Sequence, residues 1–304
     1  MTHRSLRILM NIWVLTWLMI FPVELLAAQA GTEPKTFIMG FYLPGIRDAN
    51  LTDVRVSLQV WAEEVGGPAG IPARAVTYSD MQAMRRDVVQ GRLDIVIAPG
   101  MEMADTFSPE EIAEGFVGLQ NGTEPGLALV VAKSAGIRGF ADLRGKRVLR
   151  LSNDRLAETF LESMCLRESG TPCREQFTLG EEKRDVQSIH QVFFGKADAA
   201  LVSLGALQAA TELNPQVALR LGVLLDWKTQ GMSFGMMTTF SDAAYRERIL
   251  STAVKSTSTV RGRQILEMFK TDYMVRLDKS ALQPYWLLSR QYQDLLKIRS
   301  GKKK

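Results

Sequence analysis

Residues 136–162, GIRGFADLRGKRVLRLSNDRLAETFLE, decide how this chain folds. The stretch opens on a polar turn and a short amphipathic piece, Phe140 and Leu143, that stops at Gly145. A strand is predicted over 147–151, with Val148, Leu149 and Leu151 apolar. Ser152, Asn153 and Asp154 follow, three residues that favour a helix N-cap, and then Leu156, Phe160 and Met164 recur at i, i+4 and i+8. A strand that turns into a helix N-terminus leaves backbone N–H groups and a partial positive charge facing a crevice. Such a turn is suited to holding a ligand.

Working outward, the units on either side alternate strand and helix. The segment 36–41 (TFIMGF) reads as a short strand followed by Tyr42 and a loop, and Asn50 caps a helix whose inward face is Val54, Leu58, Trp61 and Val65. A second strand covers 74–78 and ends on Tyr78. Ser79 or Asp80 caps a helix carrying Met81, Met84 and Val88, which Gly91 stops; a buried strand, 93–98, closes at Pro99-Gly100. This βαβαβ order predicts parallel strands covered by helices.

An internal echo extends the pattern. VVQGRLDIVIA (88–98) and VFFGKADAALV (192–202) share a helix end, a glycine, a basic residue, a spacer, an aspartate and an apolar strand. Two lobes built alike are expected, with strand mouths at Pro99-Gly100 and at Ser203, and a cleft where the mouths face each other. LALVVAK (127–133) and MSFGMMTTF (232–240) are the expected connections between lobes. Helices over 242–254, 259–269 and 280–297 return to the first lobe, the last burying Leu282, Trp286 and Leu295. The expected division is a signal segment at 1–30, a first lobe of 31–126 with 239–304, and a second lobe of 127–238.

Length and composition agree with this. A chain of 304 residues is long for one domain, and 46% hydrophobic with 23% charged residues is ordinary for a globular protein. The net charge of +4 includes Lys302-Lys303-Lys304, and no basic stripe interleaved with aromatics suggests nucleic acid. Arg4 and Arg7 precede an apolar run over 8–26, and Ala28-Gln29-Ala30 fits a cleavage site. Export to the periplasm as a cleaved, monomeric protein is expected, with an uncleaved anchor as the alternative. In that oxidising compartment Cys165 and Cys173, flanking LRESGTP, are expected to pair and staple a helix end to the next strand.

TYSDMQAMRRDVVQGRLDIVIAPG (77–100), KSAGIRGFADLRGKRV (133–148) and GKADAALVSLGALQA (195–209) are placed and spaced as in a known family. The chain resembles the type II periplasmic solute-binding proteins, in their phosphate/phosphite/phosphonate-binding branch of ABC transporter receptors. The resemblance implies an α/β fold of two Rossmann-like lobes joined by a two-strand hinge and closing on a small solute. It also implies a ligand turn at Ser152, Asn153, Asp154 and Arg155, with Asp185 near a family histidine position and Ser203 and Asp226 near family acidic positions. With Tyr42, Tyr78, Pro99 and Gly100 these form the candidate ligand set. Asp154 sets a carboxylate where the family holds a phosphonate dianion, so an oxyanion or carboxylate other than phosphonate is expected. Arg155 suits a carboxylate, while Asp154, Asp185 and Asp226 leave an amine or hard cation as the alternative. The expected partner is an ABC permease, or alternatively a membrane sensor. With no HExxH or P-loop, neither enzyme activity nor a cofactor or resident metal is expected.

Overall fold

The computed structural model describes residues 35–45 and 51–301. The expected signal segment 1–30, the expected cap Asn50 and the basic tail lie outside the described residues. The first strand, β1 (Phe37–Tyr42), buries Phe37, Met39 and Phe41 on one face. Helix α1 (Leu51–Gly66) buries Val54, Leu58, Trp61 and Val65, the face its spacing predicts. Next come β2 (Ala73–Tyr78), α2 (Met81–Val89) and β3 (Ile95–Pro99). Asp80 is the α2 cap, its carboxylate accepting from Gln82 N and Ala83 N at 3.0 Å. A short helix α3 (Gly100–Thr106) leads into β4 (Ile112–Leu119).

The chain then builds β5 (Gly126–Ala132), β6 (Arg147–Leu151), α4 (Arg155–Ser169), α5 (Cys173–Gln176) and β7 (Thr178–Glu182). It continues through α6 (Asp185–Phe193), β8 (Ala199–Ser203), α7 (Leu204–Leu213), α8 (Gln216–Arg220) and β9 (Leu221–Lys228). The last elements are β10 (Ser233–Thr238), α9 (Ala243–Lys255), α10 (Val260–Met268), β11 (Tyr273–Leu277) and α11 (Gln283–Gly301). Cys165 and Cys173 form a disulfide that staples the end of α4 to the start of α5, with Cα atoms 5.3 Å apart.

Six strands make one sheet in the order β11-β4-β10-β3-β1-β2, and five make a second in the order β7-β6-β8-β5-β9. The orders superpose when β2, β1, β3, β10 and β4 are set against β7, β6, β8, β5 and β9. In each sheet a parallel trio is followed by antiparallel strands. The chain passes from the first sheet to the second over 120–125 and returns over 229–232. The expected α/β fold of two look-alike lobes with two crossings is what the chain adopts. The connecting strands themselves do not straddle the lobes: β5 lies wholly in the second sheet and β10 wholly in the first, next to β3 and β4.

Two strands have no counterpart in the sequence reading. β4 contains Gly115 and Gly118, which weaken a strand pattern, yet Gly115 is there for close approach: a Cβ would sit 2.0 Å from the Gly235 carbonyl oxygen of β10. β11 is an edge strand of five residues with only Met274 buried, so its signal is short and one-sided.

Three apolar clusters hold these layers. One lies under α1, α9 and α10 on the first sheet, and one under α6, α7 and α8 on the second. The third runs across both sheets, joining Met101 and Phe234 to Leu156, Phe160, Tyr285 and Leu288. Helix α11 therefore does more than return to the first sheet: it packs on both α3 and α4. The two lobes are sealed by apolar side chains along this seam and separate elsewhere, at the strand ends.

Candidate functional site

Three strand ends meet at the separation. Pro99 of β3, Leu151 of β6 and Ser203 of β8 all line one cavity of about 760 Å³. This is the carboxyl side of parallel strands, where open α/β sheets take ligands. Tyr42 and Ser233 close it on the first lobe, and Lys183, Arg184 and Asp185 on the second. A smaller cavity of about 160 Å³ lies against the seam and is lined by Gly100, Glu102, Asp154, Arg155 and Tyr285 among others.

The candidate residues divide between these spaces. Tyr42, Pro99, Asp185 and Ser203 line the larger cavity; Pro99, Gly100, Asp154 and Arg155 line the smaller. Ser152, Asn153, Tyr78 and Asp226 line neither. Ser152 donates its N–H to the Glu182 carbonyl at 2.8 Å, and Asn153 holds a left-handed backbone (φ 54°) that turns β6 into α4. Tyr78 is buried and donates its hydroxyl to Asp87; burial first, then that carboxyl, pushes the phenol up from its ordinary range. Asp226 sits in β9, paired in register with Ala128 of β5.

Local chemistry explains the turn around Asp154. Its Oδ1 accepts from Ala157 N at 2.9 Å, so the carboxyl caps its own helix. Arg155 donates Nε to Asp105 Oδ2 at 2.9 Å, and Ser289 of α11 donates to the other Asp105 oxygen at 2.6 Å. Tyr292 of α11 lies under the guanidinium, 5.9 Å from centroid to Cζ. Arg155 is thereby held in a bridge between lobes. Gly100 belongs to the same tight region: a Cβ there would meet the Tyr285 ring at 2.6 Å.

The second lobe shows a different electrostatic arrangement. Ser203 caps α7, its Oγ accepting from Ala206 N at 3.3 Å while donating to Asp185 Oδ2 at 2.6 Å. Helix α6 has Arg184 at its N-cap and no side-chain capping bond. Lys183 and Arg184 thus add positive charge to a helix N-terminus that is already positive, where acidic residues are the norm. The sequence reading missed both, although a basic pair directly before a helix is itself the signal. On the facing lobe Tyr42 has its phenol pushed up, by burial and then by Glu102 and Asp80. Among the described residues no group of three or more His, Cys, Asp or Glu side chains is placed to hold a metal ion.

Two lobes, two crossings and a cavity walled by both make up the two-lobe architecture of the periplasmic binding proteins. The chain belongs to the family described as "ABC transporter, phosphonate, periplasmic substrate-binding protein", whose profile matches residues 49–282. No curated protein matches significantly. Solved structures share the fold at low identity. XAC2383 of Xanthomonas citri, solved bound to ATP, is 14% identical with a TM-score of 0.62, over 86% of this chain and 98% of that one. A binding-protein component of an ABC phosphonate transporter from Pseudomonas aeruginosa is 12% identical with a TM-score of 0.55, over 88% and 89%. PhnD1 of Prochlorococcus marinus, in complex with methylphosphonate, is 14% identical with a TM-score of 0.55, over 86% and 99%. Members of this family are periplasmic and bind small molecules for ABC transporters. Among the described residues no helix is long and apolar enough to cross a membrane.

Proposed function

We propose that the protein captures a small solute with an oxyanion or carboxylate head and presents it, lobes closed, to an ABC permease. The observation that carries this reading is the start of α6, where Lys183 and Arg184 flank a helix N-terminus without a side-chain cap on the wall of the shared cavity. Two basic side chains beside the N-terminus of α6 suit an anionic head. Asp154 does not oppose this, because its carboxyl caps α4 and lines the smaller cavity. The Ser203 hydroxyl and Asp185 then select by hydrogen bonding. Two structures of the same fold hold methylphosphonate and ATP, both carrying phosphorus oxyanions, which supports an oxyanion head.

In this reading the crossings at 120–125 and 229–232 serve as the hinge beside the packed seam, and a ligand touching both lobes favours the closed form by its extra contacts. No covalent step is needed. The test is isothermal titration of the mature protein with methylphosphonate, phosphite, acetate and a diamine. An anion present at a hundred times its dissociation constant should raise folding stability by about 2.7 kcal/mol. Arg184→Ala and Lys183→Ala should each weaken binding roughly tenfold or more, as expected for a lost charge-assisted hydrogen bond. Tight diamine binding unaffected by either substitution would refute the reading.

A further inference from the structure

We infer that the solute carries a second anionic group beyond its head, and that Lys270 of the first lobe receives it as the lobes close. This rests on the receptor reading above and narrows the solute to an organic chain with an oxyanion at each end. Lys183 and Arg184 stand on the second-lobe wall of the cleft, at the start of α6. Lys270 stands on the first-lobe wall, in the turn between α10 and β11.

That turn is built as two others in the chain are. After α2, Gly91 N donates to Val88 O and Arg92 N to Asp87 O, both at 2.8 Å. After α6, Gly195 N donates to Val192 O at 3.1 Å and Lys196 N to Gln191 O at 2.8 Å. After α10, Lys270 N donates to Glu267 O and Thr271 N to Leu266 O, both at 2.9 Å. Gly91 and Gly195 have φ of 67° and 69°, and Lys270 has φ of 51°. Glycine takes this left-handed conformation without steric cost; lysine does not. A glycine would relieve the backbone at 270, so what the position gains from lysine is its side chain.

The side chain is placed and uncommitted. Asp272 N donates to Leu119 O at 2.9 Å and Asp272 Oδ2 accepts from Asn121 N at 2.8 Å, which ties the turn to the crossing at 120–125. Thr271 rests on Gly118 of β4, where a Cβ would meet it at 2.8 Å. The Lys270 ammonium makes no hydrogen bond or ion pair among the described residues. The carboxylates that share the cleft wall are engaged, Glu124 by Lys228 at 2.7 Å and Asp185 by the Ser203 hydroxyl at 2.6 Å. With cations on both walls, a solute of one charge answers one wall and leaves like charges facing each other across a narrowing cleft. An anion at each end turns that repulsion into attraction, and only in the closed form.

The experiment is calorimetric titration of the mature protein with succinate, glutarate and adipate, with butyrate, valerate and hexanoate as monoanions of the same chain lengths, and with cadaverine. The best dianion should bind about tenfold or more tighter than its monoanion, the gain a charge-assisted hydrogen bond provides. Lys270→Gly removes the ammonium and suits the left-handed turn, so the fold is kept, while Lys270→Arg keeps the charge. In Lys270→Gly the ratio of dianion to monoanion affinity should fall toward one with monoanion binding unchanged. In Lys270→Arg, and in the remote exposed variant Lys196→Gln, the ratio should persist. A wild-type ratio of one overturns the inference, as does a ratio that Lys270→Gly leaves intact or a loss shared equally by both series. Monoanion binding that depends on Arg184 with no gain from a second charge overturns the inference and leaves the receptor reading standing. Failure of every anion, or a preference for cadaverine, overturns both.

Discussion

Asp94 and Asp198 open matching strands and do one job at two depths. Each follows a helix that ends on a left-handed glycine, Gly91 at φ 67° and Gly195 at φ 69°. Each exchanges two bonds with the strand alongside. Asp94 N donates to Ile38 O at 3.0 Å and Asp94 Oδ2 accepts from Ile38 N at 2.9 Å; for Asp198 and Arg147 the distances are 2.9 and 2.8 Å. The same short code therefore pins β3 to β1 in one lobe and β8 to β6 in the other. The surroundings differ. Asp94 is 5% exposed and its other oxygen accepts from Ser241 at 3.0 Å, whereas the Asp198 side chain is 35% exposed with Lys146 at 3.9 Å. Sequence sets the topology of each lobe, and burial sets how much the pin is worth.

The largest expected effect breaks or confirms that contrast directly. Asp94→Ala strands buried donors and should cost about 3 kcal/mol, while Asp198→Ala, replaceable by water, should cost about 1 kcal/mol. Urea titrations of both variants check this, and equal losses would end the distinction. Next in size is the staple that only the second lobe carries. Reducing Cys165–Cys173 should lower stability by about 2–3 kcal/mol in the loop-entropy account. Hydrogen exchange should then rise around α4 and α5 before it rises in α1 and α2.

Smaller still is the ion pair joining the lobes. Arg155 and Asp105 are about a third and a quarter exposed, so a double-mutant cycle with alanine should return a coupling of about 0.5–1 kcal/mol. The lobes also differ in their response to acid. In the first, burial would raise the Glu114 carboxyl, but backbone hydrogen bonding and Arg246 outweigh it and hold the group below its ordinary value. Its contribution is present above the ordinary carboxylate range and is lost as pH falls through the lowered native value. In the second, burial raises Glu162 against an opposing bond from Cys173 N. The folded state then binds a proton more tightly than the unfolded chain, so stability falls as pH rises from the ordinary glutamate value through the raised one. Glu162→Gln should therefore stabilise the protein at neutral pH and lose that advantage in acid, as thermal melts at the two pH values would register.

Much of the architecture was legible because it is local. The inward faces of α1 and α2, the Gly-x-x-Asp junctions and the cap at Asp154 all follow from spacing within one element. What escaped depends on partners distant in the chain. The glycines of β4 find their purpose only when β10 is laid against them, and nothing in 280–297 reveals that Ser289 and Tyr292 gather around an ion pair with the other lobe. The candidate site was legible at its strand ends, Pro99 and Ser203. Its basic rim was passed over: Lys183 and Arg184 carry a local signal as a basic pair before a helix, but that α6 sets them on the cleft wall depends on the fold.

Position 100 has a mechanical consequence. With hydrogen alone on that carbon, the phenol ring of Tyr285 comes to rest directly on the strand end, where a methyl would meet it at 2.6 Å. An alanine there would act as a spacer at the fulcrum. Small-angle scattering of Gly100→Ala should report a wider aperture even with solute bound, and an unchanged profile would mean that the stop lies elsewhere.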